Sequence, residues 1–243
     1  MYIYPIGTTA ACRHASMLLR RYGIGQTDHP CPEITHLLLD TPSFQPDGLL
    51  RGGTDLSSIL RMVPPNITVI GGNLNAPVLS GYRKLDLLQN PFYLAKNAAI
   101  TADCAIRLAG ERMQKTFSES PALVIGWGRI GKALARMLQK MDCPVTVAVR
   151  KERDRAMLEA LHYASIDISQ IPQYLIQYAL IFNTVPERIL FEPIPEGCVA
   201  LELASTPGIP EENVISAKGL PGVLAPISSG RLIADTILQE EAL

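Results

Sequence analysis

One segment of the sequence has the residue types and spacing that bind a nucleotide, Gly126-Trp127-Gly128-Arg129-Ile130-Gly131. It has the G-x-G-x-x-G spacing, follows an apolar segment directly and precedes a predicted helix directly. In that context Gly126 permits a tight turn, Gly128 leaves room for a pyrophosphate, and Gly131 lets the helix pack closely on the strand. The helix N-terminus offers N–H groups to the phosphates. We therefore predict that all six residues bind a dinucleotide; a glycine turn without a ligand is the alternative.

The residue that follows the next predicted strand, 145–149, distinguishes NAD from NADP. An enzyme that uses NAD has Asp or Glu there, and its carboxylate accepts hydrogen bonds from the ribose 2′-hydroxyl. This sequence has Arg150, followed by Lys151 and Arg153. A guanidinium binds a 2′-phosphate through charge-assisted and often bidentate hydrogen bonds. We therefore predict NADP as the cofactor and these three cations near its 2′-phosphate, although a solvated helix start would also explain the charges at 151–155.

Two later loops are expected to border the same site. They follow the predicted strands 179–182 and 198–203, and ligands of open α/β sheets bind beyond the carboxyl ends of the strands. The residues expected to contact the cofactor there are Asn183, Thr184, Val185, Pro186, Ala204 and Ser205. The alternative for each loop is an ordinary strand-to-helix turn, because Asn, Thr, Ser, Pro and Gly are common turn residues.

Composition excludes several classes of protein. The chain has 22 Lys and Arg against 23 Asp and Glu, a net charge of -1, which argues against a nucleic-acid partner. Its apolar runs are far shorter than the roughly 20 residues of a membrane helix, and no secretory signal is visible. The five cysteines form no C-x-x-C pair and the four histidines are dispersed, so we expect neither a disulfide framework nor a metal site. We expect a cytoplasmic protein with reduced thiols.

The alternation of strand and helix patterns predicts an α/β fold with two doubly wound parallel-sheet domains. We expect a small α/β domain at 1–91 and a Rossmann NAD(P)-binding domain at 92–227. A C-terminal helix, 228–243, is expected to pack back on the first domain, and 73–84 is expected to be a connection. The other predicted strands are 2–6, 34–39, 67–70 and 122–125, and the other predicted helices are 10–22, 54–63, 92–113 and 132–141.

Several motifs occur together in one order. They are the glycine motif, Asn183-Thr184-Val185-Pro186, Leu203-Ala204-Ser205-Thr206-Pro207-Gly208 and Gly219-Leu220-Pro221-Gly222-Val223-Leu224-Ala225-Pro226. Together they resemble the family of dipicolinate synthase A subunits of endospore-forming bacteria. The segment Asn97-Ala98-Ala99-Ile100-Thr101-Ala102-Asp103 is similar to that family's N-x-I-P-T-x-E stretch. The resemblance extends from about residue 85 to residue 238.

The resemblance implies a two-domain oxidoreductase that uses NADP. The implied reaction is the oxidation of a dihydrodipicolinate-type ring to dipicolinate by hydride transfer, with a small dicarboxylate-like substrate. The resemblance also implies a role in sporulation, a homo-oligomeric state and a flavoprotein-like B subunit. No catalytic acid or base is identifiable from residue types alone; the candidates are Asn97, Thr101, Asp103, Ser205 and Arg231.

Two departures from the family pattern leave other functions open. The family has a cation where this chain has Thr206, and a lysine where it has Ile227. A dicarboxylate substrate favours cations in its pocket, and Arg13 or Arg231 could supply one. One alternative is an NADP-binding regulatory or scaffold subunit that does not turn the cofactor over. Another is a reductase of a different small carboxylic acid on the same fold.

Overall fold

The computed structural model describes residues 1–190, 192–210 and 213–241. The chain divides into a first unit, Met1–Asn97 with Pro221–Leu243, and a second unit, Ala98–Leu220. The first boundary was expected at 91 but falls inside a continuous helix, Pro91–Gly110, where no turn residue marks it. The second was expected at 227, and the chain returns to the first unit at 221. Positions 242 and 243 of the expected C-terminal helix lie outside the described residues.

The strands and helices alternate along most of the chain. The strands are β1 Tyr2–Pro5, β2 Gly25–Gln26, β3 His36–Leu38, β4 Thr68–Gly71, β5 Arg83–Asp86, β6 Ala122–Ile125, β7 Val145–Val149, β8 Ala164–Asp167, β9 Leu180–Asn183, β10 Val199–Glu202 and β11 Val214–Ser216. The helices are α1 Ala10–Arg21, α2 Leu56–Leu60, α3 Pro91–Gly110, α4 Arg129–Gln139, α5 Glu152–Ala160, α6 Ile171–Tyr174, α7 Leu220–Leu224 and α8 Pro226–Glu241.

The sheet of the first unit is parallel throughout, with strand order β2-β1-β3-β4-β5. This order resembles the flavodoxin-like doubly wound arrangement, whose ligands bind between β1 and β3. The prediction of a connection at 73–84 is wrong for its last two residues, because Arg83 and Lys84 begin the edge strand β5. An edge strand pairs on one side only and can keep polar side chains in solvent, so it lacks the apolar run of a buried strand.

Helix α1 begins where its sequence predicts. Thr9 is the N-cap, and its hydroxyl accepts a hydrogen bond from the N–H of Cys12 at 3.2 Å. Ala11, Ala15 and Leu19 form the buried face of the helix. Helix α8 packs against α1, where a side chain at Gly230 would lie 2.6 Å from the carbonyl oxygen of Ala11.

The sheet of the second unit is also parallel, with strand order β11-β10-β9-β6-β7-β8. Counted from β6, this is the 3-2-1-4-5-6 order of dinucleotide-binding folds. Every residue of β6 is fully buried, as expected for a parallel strand covered on both faces. The predicted fold class, two parallel doubly wound sheets with a Rossmann-type second unit, is confirmed.

In the part of the chain that the structure describes, no helix combines the length and apolar composition needed to cross a bilayer. The five cysteines are free thiols.

Candidate dinucleotide-binding site

The glycine-rich turn lies at the topological switch point of the second sheet. The chain runs outward from β6 through β7 to β8 and then crosses to β9 on the other side of β6. Ligands of open α/β sheets bind at such a point, beyond the carboxyl ends of the strands. The turn joins β6 to α4 and therefore stands where that rule places a dinucleotide.

The three glycines of the turn meet different steric demands. Gly126 has a φ of +102°, which residues with a side chain rarely adopt. A Cβ on Gly131 would overlap the carbonyl oxygen of Gly126, so α4 packs directly on the turn. A Cβ on Gly128 would meet no atom within 4 Å, which leaves open space beside the backbone there. The first and third glycines therefore shape the turn, and the space at Gly128 fits a pyrophosphate.

The N-terminus of α4 is suited to an anion. Gly128 is the N-cap and has no side chain to accept the first N–H groups of the helix. The first turn contains no acidic residue, and the cations Arg129 and Lys132 lie at this end. Cations are unfavourable near the positive end of a helix dipole unless an anion compensates them. These residues therefore fit the phosphates of a dinucleotide.

The side chain of Trp127, a residue of the glycine turn, packs on neighbouring elements of the second unit. Its ring is 5.6 Å from the ring of Tyr163 in an edge-to-face arrangement, and Lys132 Nζ lies 5.7 Å from its centroid. These contacts join the turn to the apolar cluster that includes Val147 and Leu158. The Trp127 side chain thereby holds the turn against β7 and α5.

The loop after β9 packs directly on the glycine turn. Thr184 Oγ1 donates a hydrogen bond of 2.8 Å to the carbonyl oxygen of Ile125, the last residue of β6. A Cβ on Gly126 would lie 2.6 Å from that hydroxyl and 2.8 Å from Val185 Cγ2. The structure thus brings together two segments that the sequence assigned to one site. Pro186, the last residue of the predicted set in this loop, is exposed.

A buried acid that no sequence motif indicated, Glu202, organises the ends of β9 and β10. The side-chain amide of Asn183 donates to both carboxylate oxygens of Glu202 at 2.9 Å. The backbone N–H groups of Ala204 and Gly208 donate to the same carboxylate at 2.9 and 2.8 Å. Glu202 is 4% exposed and ends the apolar run Val199–Glu202. The position of an acidic residue at the end of an apolar strand is the sequence feature that could have indicated this buried carboxylate.

The loop after β10 is held partly by this carboxylate. Ala204 is buried and its N–H donates to Glu202, whereas Ser205 is exposed. A Cβ on Gly208 would overlap the carbonyl oxygen of Glu187 and lie 2.6 Å from Asn183 Nδ2. Gly208 therefore allows the two loops to pack directly against each other.

Arg150 follows β7 as predicted, and a carboxylate lies beside it. Arg150 Nη2 is 2.8 Å from Glu187 Oε2, and the two side chains are 56% and 59% exposed. Lys151 is the N-cap of α5, and Arg153 Nε is 3.8 Å from Asp154 Oδ1. Two of the three predicted phosphate-binding cations thus already have acidic neighbours.

Arg155 has a structural role instead. Its guanidinium donates to Asp167 Oδ2 at 2.6 Å and to the carbonyl oxygens of Val149 and Arg150 at 3.3 and 3.2 Å. Hydrogen bonds from Ser169, with the charge of Arg155, lower the pKa of Asp167 below its ordinary value. Arg155 therefore joins the carboxyl ends of β7 and β8.

The candidate catalytic residues lie on three elements. Asn97 and Thr101 are one turn apart on α3, and Thr101 is 8% exposed. Asp103 is exposed and lies two positions from Thr101, a rotation of roughly 200° around a helix, so it does not share their face. Ser205 is on the loop after β10, and Arg231 is exposed on α8. The segment 97–103 therefore does not present one cluster of polar groups.

Each unit has a cavity of several hundred cubic ångströms. In the second unit a cavity of about 410 Å³ borders Ser120, Ala179 and Cys198, at the amino ends of the strands and away from the glycine turn. In the first unit a cavity of about 380 Å³ borders Thr8 and Asp40 at the carboxyl ends of β1 and β3. The latter lies at the switch point of its sheet and is a second candidate ligand site.

The carboxylate beside the cavity of the first unit is already satisfied. Asp40 accepts hydrogen bonds from the N–H groups of Thr8 and Thr9 at 2.8 and 2.9 Å, and from both hydroxyl groups. The Arg13 guanidinium donates to the carbonyl oxygen of Thr8. Arg13, a cation that the sequence suggested for an acidic substrate, does not line this cavity but a neighbouring one of about 610 Å³ in the same unit.

No family model matches the chain. Among curated proteins, the A subunit of dipicolinate synthase of Bacillus subtilis (strain 168) is 26% identical over 153 residues, which cover 58% of this chain and 52% of that protein. The match thus spans about half the length of the curated relative. The resemblance that the sequence motifs indicated is confirmed.

Solved structures share the whole fold. The A subunit of dipicolinate synthase from Bacillus halodurans superimposes with a TM-score of 0.86 at 19% identity, covering 100% of this chain and 98% of that one. The A chain of dipicolinate synthase from Bacillus subtilis superimposes with a TM-score of 0.81 at 19% identity, covering 100% of this chain and 96% of that one. An L-alanine dehydrogenase superimposes with a TM-score of 0.69 at 10% identity, covering 99% of this chain and 89% of that one. The chain therefore has a fold that dehydrogenases also use.

Proposed function

We propose that the protein is an NADP-dependent oxidoreductase that resembles the A subunit of dipicolinate synthase. The observation that carries this proposal is the turn after β6. There, open space at Gly128 meets the uncapped N-terminus of α4 at the switch point of the sheet. This combination suits the pyrophosphate of a nicotinamide dinucleotide.

Three sets of groups would hold the cofactor. The N–H groups in the first turn of α4 donate to the phosphates, and Arg129 and Lys132 add positive charge. Thr184 and Val185, which pack on Gly126, border the dinucleotide from the side of β9. Asn183, Ala204 and their neighbours line the same edge of the sheet.

NADP is proposed over NAD because of the residue after β7. In that position an acid would accept hydrogen bonds from a 2′-hydroxyl, whereas Arg150 binds a 2′-phosphate. Lys151 and Arg153 follow it and increase the positive charge at this corner. The carboxylate of Glu187 opposes them, so the preference is expected to be moderate.

The proposed substrate is a dihydrodipicolinate-type dicarboxylate, by likeness to the A subunit of dipicolinate synthase. A bound nicotinamide would accept a hydride from the dihydro ring, one proton would leave to a base, and the ring would become aromatic. The protein's part is to orient the ring and bind its carboxylates. The same proposal includes a homo-oligomer, a cytoplasmic location in a sporulating cell and a flavoprotein-like B subunit.

A regulatory subunit that binds NADP without turnover is the second candidate. Thr206 and Ile227 stand where the resembled family has cations, and both side chains are exposed. Without those cations a dicarboxylate would be bound less firmly. A reductase of another small carboxylic acid would also need fewer cations.

The first experiment measures cofactor binding. Trp127 is the only tryptophan of the chain and lies in the glycine turn, so its fluorescence reports occupancy of the site. We expect NADP to change this fluorescence at lower concentration than NAD. A protein that binds neither dinucleotide would contradict the proposal.

The second experiment measures turnover. The protein is incubated with NADP and a dihydrodipicolinate-type substrate, with and without a flavoprotein-like B subunit, and NADPH and dipicolinate are followed together. Equal amounts of both products are expected. Tight NADP binding without turnover of any dicarboxylate would favour the regulatory candidate, and turnover of another acid would favour the reductase.

A further inference from the structure

We infer that Glu187 is a specificity-determining residue of the dinucleotide site: its carboxylate competes with the 2′-phosphate for Arg150 and reduces the preference for NADP over NAD. This inference rests on the proposed function. It adds a residue outside the motifs that predicted the site.

The ion pair connects two strand ends across the site. Arg150 follows β7, and Glu187 lies in the loop after β9. These strands flank β6, whose carboxyl end leads into the glycine turn. With Arg150 Nη2 and Glu187 Oε2 2.8 Å apart, the pair lies on the edge of the sheet where the adenosine end of a dinucleotide would bind.

The backbone that carries Glu187 is held on both sides. Before it, the N–H of Val185 donates to Asn183 Oδ1 at 3.1 Å, and the Asn183 amide is bound by Glu202. After it, the N–H groups of Ile189 and Leu190 donate to the carbonyl oxygen of Gly208 at 2.7 and 3.1 Å. The carboxylate is exposed, but its attachment point next to Arg150 is therefore fixed.

The charges act in opposite directions on the two cofactors. A 2′-phosphate carries more than one negative charge, so the Glu187 carboxylate repels it and occupies the guanidinium that would bind it. A 2′-hydroxyl can donate a hydrogen bond to the same carboxylate, as it does to the acid of NAD sites. Arg155 is engaged with Asp167 and does not replace Arg150.

The test compares four proteins, namely the wild type, Glu187→Gln, Arg150→Gln and the double variant, by calorimetric titration with NADP and with NAD. Glu187→Gln is expected to raise the ratio of NADP affinity to NAD affinity roughly 2- to 5-fold, the range of an exposed ion pair. In the Arg150→Gln background the same substitution should raise the ratio less, because the competition for the guanidinium is absent and only the direct effect of the carboxylate on the cofactor remains.

Glu159→Gln is the matched control. It removes one negative charge from an exposed position at the C-terminal end of α5 and leaves Arg150 paired with Glu187. Three results would each overturn the inference without affecting the proposed function, provided that NADP still binds: an unchanged ratio in Glu187→Gln, an equal rise in Glu159→Gln, or an equal rise in the absence of Arg150. Failure of all the proteins to bind either dinucleotide would overturn both.

Discussion

The side-chain nitrogen of Asn183 lies 2.9 Å from each carboxylate oxygen of Glu202. The two residues end neighbouring parallel strands and are paired in register. The carboxylate also accepts the N–H groups of Ala204 and Gly208, so one buried acid holds both loops that border the candidate cofactor site. The charge stays buried because the Asn183 amide and the N–H groups of Ala204, Gly208 and Ile209 all donate hydrogen bonds to it.

Replacing this acid by its amide should destabilise the protein. In Glu202→Gln the amide nitrogen has to face at least one N–H donor, and that buried donor loses its acceptor. We expect the free energy of unfolding to fall by about 3 kcal/mol, measured by urea denaturation. Glu159→Gln, an exposed position on α5, should change it by less than about 0.5 kcal/mol. Equal midpoints for both variants would contradict the role of Glu202.

Substitutions at two glycines of the turn should differ in their effect on stability although both weaken dinucleotide binding. Gly131→Ala places a Cβ on the carbonyl oxygen of Gly126, so it should lower stability as well as dinucleotide binding. Gly128→Thr enters open space at an N-cap, where Thr and Gly are about equally favourable, so stability should hold. Its side chain nevertheless fills the proposed pyrophosphate space and should weaken NADP and NAD alike by about tenfold or more, about 1.4 kcal/mol. Thermal unfolding and fluorescence titration distinguish the two effects, and undiminished binding by Gly128→Thr would place the phosphates elsewhere.

Reversing the charge at Arg150 should change cofactor choice. Arg150→Glu is expected to weaken NADP roughly 10- to 100-fold, the range for losing a charge-assisted hydrogen bond, and to weaken NAD much less. Arg112→Glu makes the same charge change beside the cavity at the opposite edge of the sheet and should alter neither affinity. Equal losses for both cofactors in Arg150→Glu would mean that the guanidinium does not contact the 2′-phosphate.

A buried histidine should make stability depend on pH. Burial lowers the pKa of His36 more than Glu241, 3.2 Å from its Nε2, raises it; Arg83 and the N-terminal amine also lower it. The unfolded chain therefore takes up a proton more readily than the native protein. The free energy of unfolding should keep its full value above the ordinary histidine pKa of about 6.5. It should decrease as the pH falls through that value, because the unfolded chain then binds the proton first.

The measurement is urea denaturation between about pH 7.5 and pH 5.5. His36→Gln should remove the part of the decline that belongs to this side chain. Glu241→Gln should make the decline steeper, because it removes the group that favours the protonated form. Identical slopes for the wild type and His36→Gln would show that His36 does not contribute.

Much of the candidate site could be read from local patterns. The segment from β6 through the glycine turn to α4 combines an apolar run, a short glycine spacing and an amphipathic helix, all within contiguous residues. The loops after β9 and β10 followed from the same reasoning, because parallel strands present their carboxyl ends at one edge. The prediction omits strands β2, β5, β8 and β11, because each is an edge strand of two to four residues without a long apolar run.

Residue order alone was therefore enough to indicate two parallel sheets, a glycine-rich turn between β6 and α4 and a cation after β7. It did not reveal that Glu202 binds Asn183, 19 residues away, or that Glu187 binds Arg150, 37 residues away. Both contacts depend on strand order, which places β9 between β10 and β6 and places β7 on the far side of β6. Long-range strand pairing brings those side chains together, and no local periodicity encodes which distant partner a charged side chain will meet.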